Sequence, residues 1–338
     1  MPVRRNPDVA DVPQGGGMVL LSKPSGMTSF AALGRLKRVL GTRRIGHTGT
    51  LDRFASGLLI AMVGRLTRIS WLITELPKRY RATIRLGEQT TTLDPEGPVE
   101  LRRNLPTPEA LHDALPGFVG RIRQVPPAYS AVHVDGERAS RRARRGLPVK
   151  PRARDAYVDS LRIIAMDLPQ VEIEVVCGKG TYVRSLARDL AVAAGSCGHL
   201  TALRRLSVGA FSVEAAAPVD AVDEGDVIPP SGFLHRIESL ELRQVTPEGA
   251  QRVRDGQPPE STFMVGAPSG ERFCALLSGR ELLAVIEPGD DRPSVPGTGC
   301  TRSRPRYRYR CVLAARPDGG AAEARDQRGA TPMTEVPG

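Results

Sequence analysis

The run Gly46-His47-Thr48-Gly49-Thr50-Leu51-Asp52 places two glycines within four residues ahead of a single acid. Glycines let a backbone approach another surface closely, and a carboxylate ending such a loop can serve as a nucleophile. It can equally cap the next turn or pair with a nearby arginine, and on local chemistry alone that plainer fate is the commoner one. A phosphate loop is excluded, because no Gly-Lys-Ser/Thr follows. Gly178-Lys179-Gly180-Thr181 fails the same test: Ile173 stands where the first glycine is required, and Gly180 follows the lysine. Tyr182 and Arg184 come next, just inside a predicted helix, where Arg184 can pair with a carboxylate or lie solvated. His47, His112, His133, His199 and His235 show no zinc-ligand spacing, and no Gly-x-Ser-x-Gly occurs. Neither a metal centre nor a serine nucleophile is expected.

The elements that must hold these residues can be read from periodicity. Met18 to Leu21 is a short apolar run stopped by Lys23-Pro24-Ser25-Gly26, a strand entering a turn. Thr28 or Ser29 can cap a helix whose apolar positions Phe30, Leu33, Leu36 and Leu40 recur every three or four residues, ended by Gly41. Gly46 to Gly57 reads as loop, and Leu58 to Val63 as an apolar segment. From Lys78 to Leu86, Tyr80, Ala82, Ile84 and Leu86 alternate with Arg79, Arg81 and Arg85, the pattern of a half-buried strand. Val171 to Cys177 alternates likewise. Thr181 to Ala194 reads as a helix with Val183, Leu186, Leu190 and Ala194 inward, and Arg205 to Val213 as a returning strand. Short strands follow at Ser239–Val245, Thr262–Val265, Arg272–Leu277, Leu282–Glu287 and Arg306–Leu313, with a Pro/Gly/Asp loop at Pro288–Gly299.

Charge is uneven along the chain. Over Arg121–Arg154 ten basic residues face only Asp135 and Glu137, eight of the chain's formal excess of +11. A solvated helix face or a disordered arm is the plain reading. The run lies between two strand patterns and carries Val132, Val134, Leu147 and Val149, which favours a mobile insertion that grips a polyanion. The five cysteines (Cys177, Cys197, Cys274, Cys300 and Cys311) are odd in number and widely spaced, arguing against a disulfide framework. A reducing, cytoplasmic setting is therefore expected, with no secretory signal in Met1–Gly17 and no apolar run long enough to span a membrane.

The order of motifs says more than any one of them. Lys23-Pro24-Ser25-Gly26-Met27-Thr28-Ser29, the stretch from Gly46 to Leu59, Lys78-Arg79-Tyr80, Pro126-Pro127-Ala128-Tyr129-Ser130-Ala131, the stretch from Gly178 to Leu190, and Leu203-Arg204-Arg205-Leu206 follow one another at fixed spacing. Together they resemble the bacterial tRNA pseudouridine-55 synthases (the TruB-type pseudouridine synthase family) across roughly Met18 to Val213. The resemblance implies a stand-alone enzyme that isomerises uridine 55 in the T-loop of tRNA, without metal or cofactor and without a guide RNA or protein partner. It implies catalytic roles for Asp52, as nucleophile, for Arg184, pairing with that carboxylate and holding it ionised, and for Tyr182, beside the reacting base. Tyr80 would stack on the flipped uracil, His47 would support the flipped-out RNA, and Leu203 would line the pocket. Lys23, in the Lys-Pro turn near the site, and Arg141, Arg142, Arg144 and Arg145, in a thumb loop, would contact RNA.

The implied architecture is α+β: a mixed, mainly antiparallel sheet with flanking helices and a basic thumb insertion, then a small mostly-β, PUA-like domain. The expected division is a flexible segment at 1–17, a catalytic domain at 18–235 with its thumb at about 121–154, a small RNA-binding-like domain at 236–314, and a disordered tail at 315–338, in a monomer. Two departures stand out. Arg53-Phe54-Ala55-Ser56 follows Asp52 where the family usually has Pro-Leu-Ala-Thr, and His133 stands where a thumb lysine is common. Two other functions fit the same core: a dyskerin-type, guide-RNA-dependent synthase, which generally lacks the long thumb, and a non-catalytic tRNA-binding or folding protein, which would have no need of Asp52, Tyr80, Tyr182 and Arg184 together.

Overall fold

The computed structural model describes residues 16–134, 136–149, 151–266, 268–269, 272–288 and 307–314. The expected tail at 315–338, residues 1–15 of the expected lead-in, Cys300 and all but the first residue of the Pro288–Gly299 loop lie outside them. Gly16 and Gly17, expected within the lead-in, are instead packed: a Cβ on Gly16 would lie 1.9 Å from the Val63 carbonyl oxygen.

Strand β1 (Met18–Lys23) shows why its residues form a continuous apolar run. Val19 and Leu21 enter one core while Met18 and Leu20 enter a second on the opposite face, so both faces are covered. Helix α1 (Ser29–Val39) starts where Thr28 Oγ1 accepts from the Ala31 N–H at 3.1 Å. Its buried stripe is Ser29, Ala32, Leu33 and Leu36, and Phe30, expected inside, is 80 % exposed. The Ser29 hydroxyl is engaged inward by Leu51, which turns the stripe away from Phe30. Part of the expected loop is strand: β2 (Ile45–His47) pairs with β3 (Ser56–Val63), itself buried on both faces.

After helix α2 (Ser70–Glu75) comes β4 (Lys78–Leu86), with the expected bounds. A hairpin of β5 (Glu88–Thr90) and β6 (Val99–Arg102), helix α3 (Pro108–Ala114) and strand β7 (Gly120–Gln124) lead to the thumb. The thumb holds a two-residue ladder, β8 (His133–Val134) with β9 (Glu137–Arg138), and helix α4 (Ala139–Arg144). Strands β10 (Arg154–Asp167) and β11 (Gln170–Cys177), helix α5 (Val183–Ala193) and strand β12 (Gly198–Val208) follow. The returning strand thus begins at Gly198, earlier than expected, and turns at Gly209 (φ +52°) into β13 (Phe211–Ser212), before β14 (Ala217–Pro218).

These strands form a ten-stranded sheet in the order β14-β1-β3-β12-β4-β11-β10-β7, with β13 on β12 and β2 on β3. Neighbours are antiparallel except β1–β14 and β3–β12. The parallel β3–β12 junction is short, matching Ser56 with Arg204 and Gly57 with Arg205. Gly57 has φ +101°, and a Cβ there would lie 2.3 Å from the Arg205 carbonyl oxygen. Only glycine fits that approach.

Beyond the short helix α6 (Pro230–Phe233), strands β15 (Leu240–Gln244), β16 (Phe273–Ser278), β17 (Glu281–Pro288) and β18 (Tyr307–Val312) form a four-stranded sheet in that order. Helix α7 (Pro247–Arg254), which periodicity does not announce, is capped by Thr246 between β15 and β16. The expected strand at Thr262–Val265 is a 3₁₀ turn at Ser261–Phe263 with one bridge, Val245 to Met264. The fold is α+β with a mainly antiparallel sheet, as expected.

Candidate active site

The loop that ends in Asp52 is held from several sides. Leu51 N–H donates to Ser29 Oγ at 2.9 Å and Ser29 Oγ donates to the Leu51 carbonyl at 3.0 Å. Thr48 N–H donates to the Ile60 carbonyl at 3.0 Å, and Thr74 Oγ1 donates to the Thr48 carbonyl at 3.0 Å. Two of the residues that depart from the expected pattern are used locally. Arg53 Nε donates to the Gly26 carbonyl at 3.1 Å, and Phe54 is buried in the core beneath the loop.

Arg184 reaches this loop from the start of α5. A cation there meets the positive end of the helix dipole, and the first turn of α5 holds no acid. Two carboxylates from elsewhere supply the missing charge. Arg184 Nε and Nη2 grip Asp52 at 2.9 and 3.2 Å, while Nη1 lies 3.1 Å from Asp94. The guanidinium also donates to the carbonyls of Thr92 and Tyr129, each at 2.9 Å. Four hydrogen bonds and the Nε ion pair hold the guanidinium, leaving it little freedom. Its side chain is 5 % exposed and that of Asp94 is 6 %, whereas Asp52 is 38 % exposed. Of the three, only Asp52 presents its carboxylate outward.

Asp94 joins this cluster without any signal in the sequence. It follows three threonines and precedes a proline, which signals a turn, and nothing local points to an arginine 90 residues away. Its Oδ1 accepts from Thr92 Oγ1 at 2.5 Å and the Glu96 N–H at 3.0 Å, so the turn fixes it beneath Arg184.

The aromatic and apolar candidates lie around this pair. Tyr80 is on the face of β4 that carries Ala82 and Ile84, directly across from Arg205 of β12, and Leu203 pairs with Ala82 one step along the same face. Tyr182 is the N-cap residue of α5. Its N–H donates to Gln124 Oε1 at 2.8 Å and its carbonyl accepts from Gln124 Nε2 at 3.1 Å. The Arg154 guanidinium covers the Tyr182 ring at 4.9 Å. His47 ends β2, and its buried Nδ1 has no hydrogen-bond partner among the described residues.

Electrostatics separate these groups. Burial pushes the Asp52 carboxyl above its ordinary pKa; Arg184 pulls it back down, and Asp94 adds to the rise. Arg184 therefore aims Asp52 and favours its ionised form, while burial works against it. Burial, aided by Arg205, lowers the His47 pKa below its ordinary value. Burial also lowers Lys23 and Lys78, each to about 8.

Lys23, expected among the RNA contacts, is 1 % exposed. Its Nζ donates to the carbonyls of Pro24, Met27 and Ala55 at 2.9, 2.7 and 2.5 Å, which uses all three N–H bonds of the ammonium. The structure places it under the site as a strut joining the Lys-Pro turn to the Asp52 loop. The thumb arginines are elsewhere: Arg141, Arg142 and Arg144 lie on α4 and Arg145 caps it, with Arg145 Nη1 3.3 Å and Arg141 Nε 4.0 Å from Glu137. Among the described residues no cluster of three or more His, Cys, Asp or Glu could hold a metal ion, and no helix is long and apolar enough to cross a membrane.

Comparison with known proteins places the chain among relatives of one kind. A family profile described as "TruB family pseudouridylate synthase (N terminal domain)" matches residues 37–183. Proteins named tRNA pseudouridine synthase B are similar over most of the chain. The one from Mycobacterium sp. strain KMS is 38 % identical, covering 82 % of this chain and 94 % of its own. That from Dinoroseobacter shibae is 42 % identical over 72 % and 82 % of the two chains. Among solved structures, a chain of a Cbf5-Nop10-Gar1 complex superposes with a TM-score of 0.65 at 21 % identity, covering 93 % of this chain and 92 % of that one. At that identity the likeness concerns the fold.

Proposed function

The chain belongs to the TruB family of pseudouridylate synthases, and on that premise we propose that it is a stand-alone, cytoplasmic enzyme converting uridine 55 in the T-loop of tRNA to pseudouridine, with Asp52 as the catalytic carboxylate. The observation that carries the proposal is the Asp52–Arg184 fork at 2.9 and 3.2 Å, in which the buried arginine is fully engaged and the carboxylate alone is open.

Isomerisation breaks the N1–C1′ bond, turns the base, joins C5 to C1′ and releases the C5 proton while N1 gains one. A half-open carboxylate can attack the base or the sugar, or deprotonate a glycal-like intermediate. Arg184 holds its direction, and burial keeps it more basic than a solvated aspartate. The uridine must first leave its stack, at a cost of a few kcal/mol. Stacking on Tyr80 returns about 1–3 kcal/mol, which offsets much of that cost. His47, with a ring nitrogen unpartnered among the described residues, supports the displaced RNA. Tyr182, held by Gln124, stands beside the reacting base, and Leu203 closes the pocket. The thumb arginines supply phosphate contacts and with them the salt-dependent part of affinity, while the folded T-arm is recognised largely by its shape.

The stand-alone reading rests on the relatives' name and on the thumb insertion between β7 and β10. Purified protein incubated with an unmodified T-arm transcript, with no other RNA or protein, should form pseudouridine at one position. Binding without pseudouridine would favour a guide-dependent or non-catalytic protein.

A further inference from the structure

Arg205 stands out because its charge has no obvious purpose. It is 3 % exposed, and among the described residues no carboxylate pairs with it. Its Nε donates to the Leu58 carbonyl at 2.7 Å and its Nη2 to the Gly49 carbonyl at 3.0 Å. Leu58 lies on β3, and Gly49 lies within the loop that ends in Asp52. The backbone of Arg205 meets Gly57 at the parallel junction on one side and Tyr80 on the other. A single buried residue, by side chain and backbone together, therefore joins the strand leading from the Asp52 loop, the loop itself and the strand that carries Tyr80.

Burying a guanidinium with no carboxylate beside it is costly, and a strand junction needs no charge to hold it. The field of this cation falls on the groups around the loop: it acts on Lys23, His47, Lys78 and Tyr80. We propose that Arg205 is a positioning residue, whose guanidinium fixes the Gly49 half of the loop against β4 so that Asp52 keeps its distance from a base stacked on Tyr80. This rests on the function proposed above, and it adds a residue that touches neither Asp52 nor substrate.

The test compares Arg205→Met and Arg205→Lys with wild type by steady-state kinetics on T-arm RNA, thermal unfolding, and NMR titration of His47, identified with a His47→Gln control. Because a displacement of about 1 Å can cost on the order of 100-fold in rate, Arg205→Met should lose about 100-fold in kcat with little change in KM. Its His47 should titrate nearer the ordinary histidine value. Arg205→Lys, which keeps charge and part of the reach, should recover part of the rate. A wild-type kcat in a folded Arg205→Lys or Arg205→Met protein, with only a lowered Tm, would overturn the proposal and leave Arg205 as a packing element. Should Arg205→Met not fold, the Arg205→Lys kinetics decide alone. Should wild type itself form no pseudouridine, the functional reading fails, and an unshifted His47 in the variants would then sink the positioning role as well.

Discussion

Asp52 and Asp94 share one arginine but are bound to it on different terms. Asp94 is buried and turn-fixed, so it serves as the permanent counter-ion, while Asp52 is half open. Replacing Asp94 by Asn should destabilise the fold by roughly 1.5–3 kcal/mol, the worth of a hydrogen bond to a charged group, seen as a lower Tm. The negative charge of Asp94 raises the Asp52 pKa, so the same variant should move the acid limb of kcat/KM to lower pH. An unmoved limb would mean that Asp52 is not the titrating group. Asp52 itself has a folded pKa above its unfolded one, so protonation favours the folded state. That stability is present at low pH and is lost as pH rises through the folded pKa. Asp52→Asn should accordingly keep or raise Tm at neutral pH, a trade of stability for function. A clear drop in Tm would show that the carboxylate holds the fold together. Among single residues, the pairing of Asp52 with Arg184 was legible through motif order. Asp94 and Arg205 stayed hidden, because each acquires meaning from a partner on a distant strand or helix. Lys23 was named as an RNA contact from its Lys-Pro turn, and its burial beneath that turn shows only in the structure.

At the level of elements, periodicity located β1, β4, β11 and α5 well, since each has one continuous pattern on a covered face. It failed where side chains compete with the pattern. In α1 the inward Ser29 turned Phe30 to solvent; α7 is short, with only Ala250 and Val253 among its buried apolar residues. The thumb is the element whose charge density was plain in the sequence. If α4 and its C-cap grip the T-arm, neutralising Arg141, Arg142, Arg144 and Arg145 together should reduce the slope of log K against log salt by about 0.7–0.9 for each phosphate no longer neutralised. An unchanged slope would assign those arginines to solvent.

The whole molecule is joined through its second core. Met18, Leu20, Leu58, Ile60 and Met62 from the back of the large sheet meet Leu240, Ala275, Leu277, Val285 and Cys311 from the small one. Arg65 donates to the Leu313 carbonyl at 3.0 Å, and Trp71 packs edge-on against Phe273 with ring centroids 4.5 Å apart. A boundary near residue 235 marks a change of sheet, with the core continuing across it. Leu277→Ala should therefore cost roughly 2–5 kcal/mol and lower a single unfolding transition that includes the active-site sheet. Two separate transitions, with the catalytic one unmoved, would show two independent units. Sequence pattern gave no hint of this shared core, because a both-faces-buried strand reads the same whatever covers it.

Whether Asp52 in the grip of Arg184 carries out the isomerisation is decided by single-turnover release of tritium from C5 of the target uridine in T-arm RNA, with wild type and Asp52→Asn. Bond formation at C5 expels that hydrogen, so wild type should release it from every bound RNA, and Asp52→Asn should bind the RNA equally well and release none. Release by Asp52→Asn at the wild-type rate would assign the chemistry to another group.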